Sequence, residues 1–420
     1  MIAAPQDAPT PAAPGVLKLG FIPLTDCAPL VAAHEKGFFE AEGLRVQLCR
    51  ERSWASIRDK IAFGVYDAAQ MLYPMPLAMS LGVGGPPCPT VAAACLSLNG
   101  NAITLSNRVV QALGDAGAGD ADAPMDAGAL RRLIVARRDA GLPPLNFGIV
   151  FPTSTHHYEL RYWLESADID PDQDVRLLVI PPPDMPEALR DGRIDGYCVG
   201  EPWNSLAVHR GWGRIAISKL ELWSNFPEKV LGVTRAWADE NPVRHLALVR
   251  AVLAAGRWCD DPQNREELAR LIAEPRYVDA PADVVRLSLL GSLPYQQDGP
   301  GRELPDFHVF HRYAANFPWR SHGAWHLAQM VRAGQLDWPG DPEAVAKSVF
   351  LPEVYRNAAR SLGLATPEVN HKTEGAHDDP WTLRNATEPI PMGSDRLLGG
   401  RRYDPDDPAS AWVRQEALRG

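Results

Sequence analysis

Two α/β lobes facing each other across a cleft are the architecture this sequence predicts, and three observations predict it. Short strand-like and helix-like stretches alternate over roughly the first 200 residues, the order of a mainly parallel sheet with helices on both faces. A second set of the same kind begins after "NAITLS". The chain has 420 residues, 45% of them hydrophobic, which is enough apolar material for two cores. Lobes joined by few crossings form a hinged clamp, and its cleft is the default place for a ligand.

The elements follow in order. "MIAAPQDAPTPAAPG", residues 1–15, has no Lys or Arg, and Pro5, Pro9, Pro11 and Pro14 interrupt its apolar run. It reads as a disordered leader without the basic start and apolar core of an export signal, so the expected location is the cytoplasm. The first lobe is expected over 16–105: strand "LKLGFI", a helix "APLVAAHEKGFFEAEG" ended by Gly43, strand "LRVQLC", and a helix from "SWASIRDKIAFG" with Ser53 as N-cap. The strand "YDAAQML", the helix "PMPLAMSLG" and the strand "TVAAAC" complete it. The second lobe is expected over 106–232, with the Gly/Ala/Asp-rich loop "GAGDADAPMDAG" near its start. Its strands are "LNFGIVF", "VRLLVI" and "IDGYCV", separated by helices around "STHHYELRYWLE" and "MPEALRDG". Residues 233–365 return to the first lobe as helices, including "PVRHLALVRAVLAAGRWC" and "NREELARLIAEP". Residues 366–420 read as a C-terminal arm packed on the body, because Trp381, Leu397, Leu398 and Trp412 would otherwise face water.

Charge narrows the function. A formal net charge of −10 excludes a broad basic face for nucleic acid, so any anion site has to be a local cationic pocket. No stretch approaches the roughly 18 uninterrupted apolar residues of a membrane span. The six cysteines form no CxxC pair and read as reduced, mostly buried thiols.

The pair His156–His157 opens a predicted helix. Adjacent positions point about 100° apart and neither has a ligand-type partner four residues on, so a metal site is disfavoured. A nucleophile elbow is absent. Ordinary structural histidines remain one reading. The other is an anion site, because unpaired backbone N–H groups and the positive dipole end meet at a helix start. Glu159 is positioned to close a capping box there. Elsewhere, Lys229 in "FPEKVLGV" precedes a strand that carries the chain back between lobes, and Trp54 opens a helix. Asn101 stands in the crossing "LNGNAITLS". Gln70 in "YDAAQML", with Glu201 and Trp203 in "GEPWNS", are further candidates to line the cleft.

Taken together, "LGFIPLTDCAPLVAAHEKGFF", "SWASIRDKIAFGVYDAAQML", "LNGNAITLS", "STHHYELRYWL", "DGYCVGEPWNSLAV" and "FPEKVLGVT" resemble the nitrate- and bicarbonate-binding proteins of cyanobacterial-type ABC importers. The resemblance runs from about Val16 to Ala365 and implies a type II periplasmic-binding-protein fold. It implies a nitrate ligand held by Trp54, Asn101, His156 and Lys229, with Asn101 one methylene shorter than the family's usual Gln and His157 an added neighbour. Bicarbonate binders carry an acidic residue at the lysine position with calcium beside the ligand, so Lys229 points to nitrate or nitrite, with no metal and no cofactor.

The physics of the ligand agrees with that set. Nitrate is a flat monoanion with weak acceptor oxygens, suited to donors around its rim, positive charge and an apolar face, and carboxylates beside it would repel it. Such a site binds and does not catalyse. With no export signal visible, the resemblance leans to cytoplasmic nitrate/nitrite sensors of the NasS type. By resemblance, those hold an RNA-binding transcription antiterminator (ANTAR type) inactive and release it when ligand binds. The alternatives are the solute-binding component of a nitrate importer, an enzyme acting on a thiamine-precursor pyrimidine, and a bare interaction scaffold.

Overall fold

The computed structural model describes residues 15–114 and 124–411. The leader before Gly15, residues 115–123 of the Gly/Ala/Asp-rich segment, and Trp412 lie outside them.

The strands sort into two main sheets. The first contains β1 (Leu17–Phe21), β2 (Val46–Arg50), β3 (Ala68–Leu72), β4 (Thr90–Asn99) and, much later, β10 (Pro227–Thr234), in the order β2-β1-β3-β10-β4 with His308–Val309 at the edge. The second contains β5 (Asn101–Ser106), β6 (Leu145–Ile149), β7 (Val175–Val179), β8 (Gly196–Gly200) and β9 (Gly213–Ser218), in the order β7-β6-β8-β5-β9. Each sheet has three strands in parallel pairing, then the strand that has crossed between sheets running antiparallel to them (β10 in the first, β5 in the second), then a further strand antiparallel to that one (β4 and β9). Buried on both faces, the inner strands read as near-continuous apolar runs, while the edge strands β2 and β7 are partly exposed, and helices cover the sheets as the β–α alternation requires.

The chain changes sheets at Gly100 and again between Ser218 and Pro227. Strand β5 therefore pairs in the second sheet and β10 in the first, a few residues away from the boundaries expected at 105 and 232. Gly100 is required at the first crossing: its φ is +91°, and a Cβ there would stand 2.4 Å from Cε1 of His308.

Two local expectations change. The single helix expected over "APLVAAHEKGFFEAEG" is two, Ala28–Glu35 and Phe38–Ala41, because Gly37 turns left-handed between them at φ +75°. The capping box expected around Glu159 does not form. Ser154 caps the helix Thr155–Glu165, its hydroxyl accepting from the His157 amide at 3.1 Å, which leaves the Glu159 side chain free for other partners.

The C-terminal segment packs on the body. Leu397 is buried and Trp381 and Leu398 are half-buried, while Asn225 Nδ2 donates to the Ser394 carbonyl at 2.9 Å and the Ser224 backbone N–H to that of Arg396 at 2.9 Å. Among the described residues, no helix is long and apolar enough to cross a membrane.

Candidate functional site

Where the two sheets meet, buried polar groups from seven segments face one another. Strand β10 supplies Glu228 and Lys229. In a regular strand these neighbours would point to opposite faces. Irregular pairing of β10 with β4 on both sides of Lys229 breaks the alternation, and both side chains reach the junction fully buried. Lys229 Nζ lies 2.7 Å from Glu228 Oε1 and 2.8 Å from Asp26 Oδ2, and 5.4 Å over the ring of Trp54. Trp54 sits there because Ser53 caps its helix, accepting from the Ser56 amide at 3.3 Å and placing the indole at the first helical position. Asp26 is held by Gln70, whose Nε2 donates to Oδ1 at 2.5 Å while its Oε1 accepts from the Ile22 amide at 2.9 Å.

The second lobe closes the ring of contacts. Thr155, at the start of its helix, donates from Oγ1 to Glu228 Oε1 at 2.5 Å. The next residue, His156, stands with Nδ1 3.4 Å from the same oxygen, outside hydrogen-bond geometry. Lys219 donates from Nζ to Glu228 Oε2 at 2.5 Å and to the Pro227 carbonyl at 3.0 Å. It also lies 2.8 Å from Glu159 Oε1, an ion pair without the alignment of a hydrogen bond. Asn101 donates from Nδ2 to Glu159 Oε2 at 2.9 Å. A Cβ at Gly200 would lie 3.3 Å from Asn101 Oδ1 and 3.6 Å from Asp26 Oδ2, so β8 passes between those groups.

Trp54, Asn101, His156 and Lys229 are thus brought together, and Gln70 stands behind Asp26. The other three candidates take different roles. His157 turns away: its Nδ1 is 2.7 Å from the Pro152 carbonyl and its ring stacks on Tyr158. Trp203 ties the lobes, donating from Nε1 to the Pro23 carbonyl at 3.0 Å. Glu201 faces its own helix, accepting from the Ser205 amide at 3.1 Å, and burial pushes its carboxyl up to about 7.

Charge at the junction differs from that of a site lined only by donors and cations. Burial lowers the His156 pKa to about 3, so the imidazole is neutral here and no imidazolium donor is available near neutral pH. The junction is also not free of carboxylates: Asp26, Glu159 and Glu228 all belong to it. Burial works against ionisation of Glu228, but Lys219, Lys229 and His156 outweigh it and hold the carboxyl far below its usual range. Burial likewise opposes the Lys229 charge, and Asp26 with Glu228 more than offsets it. For Asp26 and Glu159 burial dominates and pushes both carboxyls up. The firm pair is therefore Glu228 with the lysines, and a proton taken up by this cluster goes to Asp26 or Glu159.

Four groups of the junction were not singled out from the sequence as ligand contacts: Asp26, Glu159, Lys219 and Glu228. Asp26 carried a signal, a lone acid inside the apolar run "FIPLTDCAPLVAA". Glu228 did not, because strand alternation argues against sharing a face with Lys229.

Several buried polar atoms here have no hydrogen-bond partner: Trp54 Nε1, Asn101 Oδ1, both ring nitrogens of His156, and the carboxylate oxygens Asp26 Oδ2 and Glu159 Oε1, which are ion-paired to Lys229 and Lys219. Buried groups of this kind are normally satisfied, so their convergence marks a place built to receive something polar. With two ammonium groups nearby, the arrangement suits a small anion.

Comparison with known proteins bears on that chemistry. The model of the NMT1-like family matches residues 10–273. The nitrate import ATP-binding protein NrtC of Synechocystis sp. (strain ATCC 27184 / PCC 6803 / Kazusa) is 41% identical over 364 residues, 86% of this chain and 52% of that protein. The chain thus spans about half the length of the first such relatives. The nitrate/nitrite binding protein NrtA of Synechococcus elongatus (strain ATCC 33912 / PCC 7942 / FACHB-805) is 35% identical over 356 residues, 82% of this chain and 77% of that one. The crystal structure of the periplasmic nitrate-binding protein NrtA from Synechocystis PCC 6803 superimposes with a TM-score of 0.83 at 28% identity, covering 95% of this chain and 98% of the other. The two-lobed architecture is that of periplasmic-binding-protein-like solute-binding proteins.

Proposed function

The chain belongs to the NMT1-like family, among its nitrate- and bicarbonate-binding proteins, and from that premise we propose that it binds nitrate or nitrite between its lobes as the solute-binding part of an ABC-type anion importer. The observation that supports this most is the buried junction, where Lys219, Lys229, Trp54 and His156 meet and the indole N–H and the imidazole have no protein hydrogen-bond partner. A planar oxyanion needs rim donors and positive charge, and those groups supply both. The ATP-binding and membrane-spanning parts of such an importer would be its partners.

Titration calorimetry with nitrate, nitrite and bicarbonate, each with and without calcium, tests the reading. Calcium-independent binding of nitrate or nitrite is expected. Calcium-dependent binding of bicarbonate alone would overturn it. The cytoplasmic sensor that holds an RNA-binding antiterminator has no counterpart among these relatives. An export-dependent reporter fused to the native N-terminus separates it from the importer component: export would favour the importer, and retention with nitrate binding intact would favour the sensor.

A further inference from the structure

Glu228 stands where an oxyanion would. Its carboxylate is planar, as nitrate and nitrite are, and the protein surrounds it fully. Oε1 accepts from Thr155 Oγ1 at 2.5 Å and Lys229 Nζ at 2.7 Å, with His156 Nδ1 at 3.4 Å; Oε2 accepts from Lys219 Nζ at 2.5 Å. The side chain has no solvent exposure. These are charge-assisted contacts from both lobes onto one carboxylate, while Trp54 Nε1 and His156 Nε2 beside it stay unpartnered. Regular alternation would have turned Glu228 to the opposite face of β10. The irregular pairing at Lys229 aims it inward.

A free anion lodged beside Glu228 would put two like charges on the same two lysines in a desolvated site, which is strongly unfavourable. We propose that Glu228 is an internal occupant of the anion position: ligand binds by displacing its carboxylate from Lys219 and Lys229, so Glu228 sets both affinity and selectivity. This rests on the anion-binding proposal above. It also says which anions compete. The two carboxylate oxygens engage the two ammonium groups separately, so a competitor needs two acceptor atoms held in a plane. Nitrate, nitrite and formate have them; chloride does not.

The test is calorimetry on the wild type, Glu228→Gln and Glu228→Ala with nitrate, nitrite, formate and chloride. Glu228→Gln keeps the shape and removes the charge, so it serves if the alanine variant does not fold. Nitrate affinity is expected to rise by about tenfold or more in Glu228→Gln, because one like charge near the ligand is gone. Glu228→Ala is expected to bind formate more tightly than the wild type does, and chloride to stay weak throughout. Unchanged or weaker nitrate binding in both variants, with the wild type still binding, would overturn the displacement inference and leave the anion-binding proposal standing. If none of the three proteins takes up a planar oxyanion, both proposals fall.

Discussion

Two of the buried ionic clusters among the described residues, one around Asp260 and one at the junction of the sheets, differ in what they leave over. Around Asp260, every carboxylate contact is made within the protein. Oδ1 accepts from Arg265 Nη2 at 2.7 Å and Arg312 Nη1 at 2.8 Å, and Oδ2 from the His311 and Arg312 amides at 3.1 and 2.8 Å. Neither Asp260 oxygen is left without a partner. At the junction of the sheets, by contrast, an indole N–H, a carboxamide oxygen and an entire imidazole remain unpartnered beside two lysines. Both clusters are made of charge buried in an apolar core. Both ring nitrogens of His308, whose carbonyl accepts from Arg265, are unpartnered as well, but the Asp260 carboxylate itself is satisfied; the junction differs in setting its spare indole, carboxamide and imidazole atoms beside two ammonium groups, which suits a place where a ligand completes the valence.

The contrast can be broken at Lys229 first. Lys229→Met leaves Asp26 and Glu228 without their shared counter-ion, which should cost about 3–5 kcal/mol of stability and abolish nitrate binding. Urea unfolding and calorimetry would check both; retained affinity would remove Lys229 from the ligand's contacts. Asp260→Asn should destabilise by a similar amount, about 3–5 kcal/mol, since the buried Arg265 loses its ion pair and Arg312 keeps only Asp306. Nitrate affinity, measured where the variant is folded, should stay within about twofold of wild type, because the Asp260 cluster closes on itself. A large loss of affinity there would erase the distinction between the clusters.

A smaller effect sharpens the comparison at Trp54. Trp54→Phe removes an N–H that no protein group uses, so stability should fall by only about 1–2 kcal/mol, from lost packing. If that N–H meets the anion, affinity should fall about tenfold to a hundredfold, the worth of a hydrogen bond to a charged group. Equal affinity in the two proteins would mean that the indole serves only as a wall.

The least disruptive probe is pH. Burial lowers the pKa values of His156 and His326 to about 3 and those of His157 and His322 to about 4. The unfolded chain takes up protons on these rings from about pH 6.5 downward and the folded protein does not, so stability should fall on acidification from about 6.5 toward 4. Each such histidine steepens that slope by about 1 kcal/mol per pH unit, and His156→Gln should relieve one share of it in urea titrations at pH 7 and 5. With His156 neutral throughout, its titration should leave nitrate affinity flat between about pH 6 and 8.

Much of this was legible in the residues. Alternating apolar runs announced two α/β units, Ser53 announced the helix that positions Trp54, and the Asn-Gly-Asn of "LNGNA" marked a turn where the chain changes sheets. The likeness of "SWASI", "STHH" and "PEKV" to one family led to Trp54, His156 and Lys229, which meet across the junction. His157 was taken along with its neighbour, since nothing local says which of two adjacent rings turns inward; the Pro152 carbonyl decides that by holding its Nδ1.

What the sequence determined by itself is therefore the layout: the apolar periodicity that builds two sheets, the caps and glycines that start and bend the elements, and the residue types available for an anion. Those are local properties, set by side-chain pattern and backbone sterics within a few positions. Only the tertiary structure decided the electrostatics. Whether Glu228 shares a face with Lys229 depends on an irregularity in strand pairing, and whether His156 carries a proton depends on burial by both lobes. The interactions that settle charge join residues far apart in the chain, such as Asp26 and Lys229, and their strength is set by how completely the assembled fold excludes water.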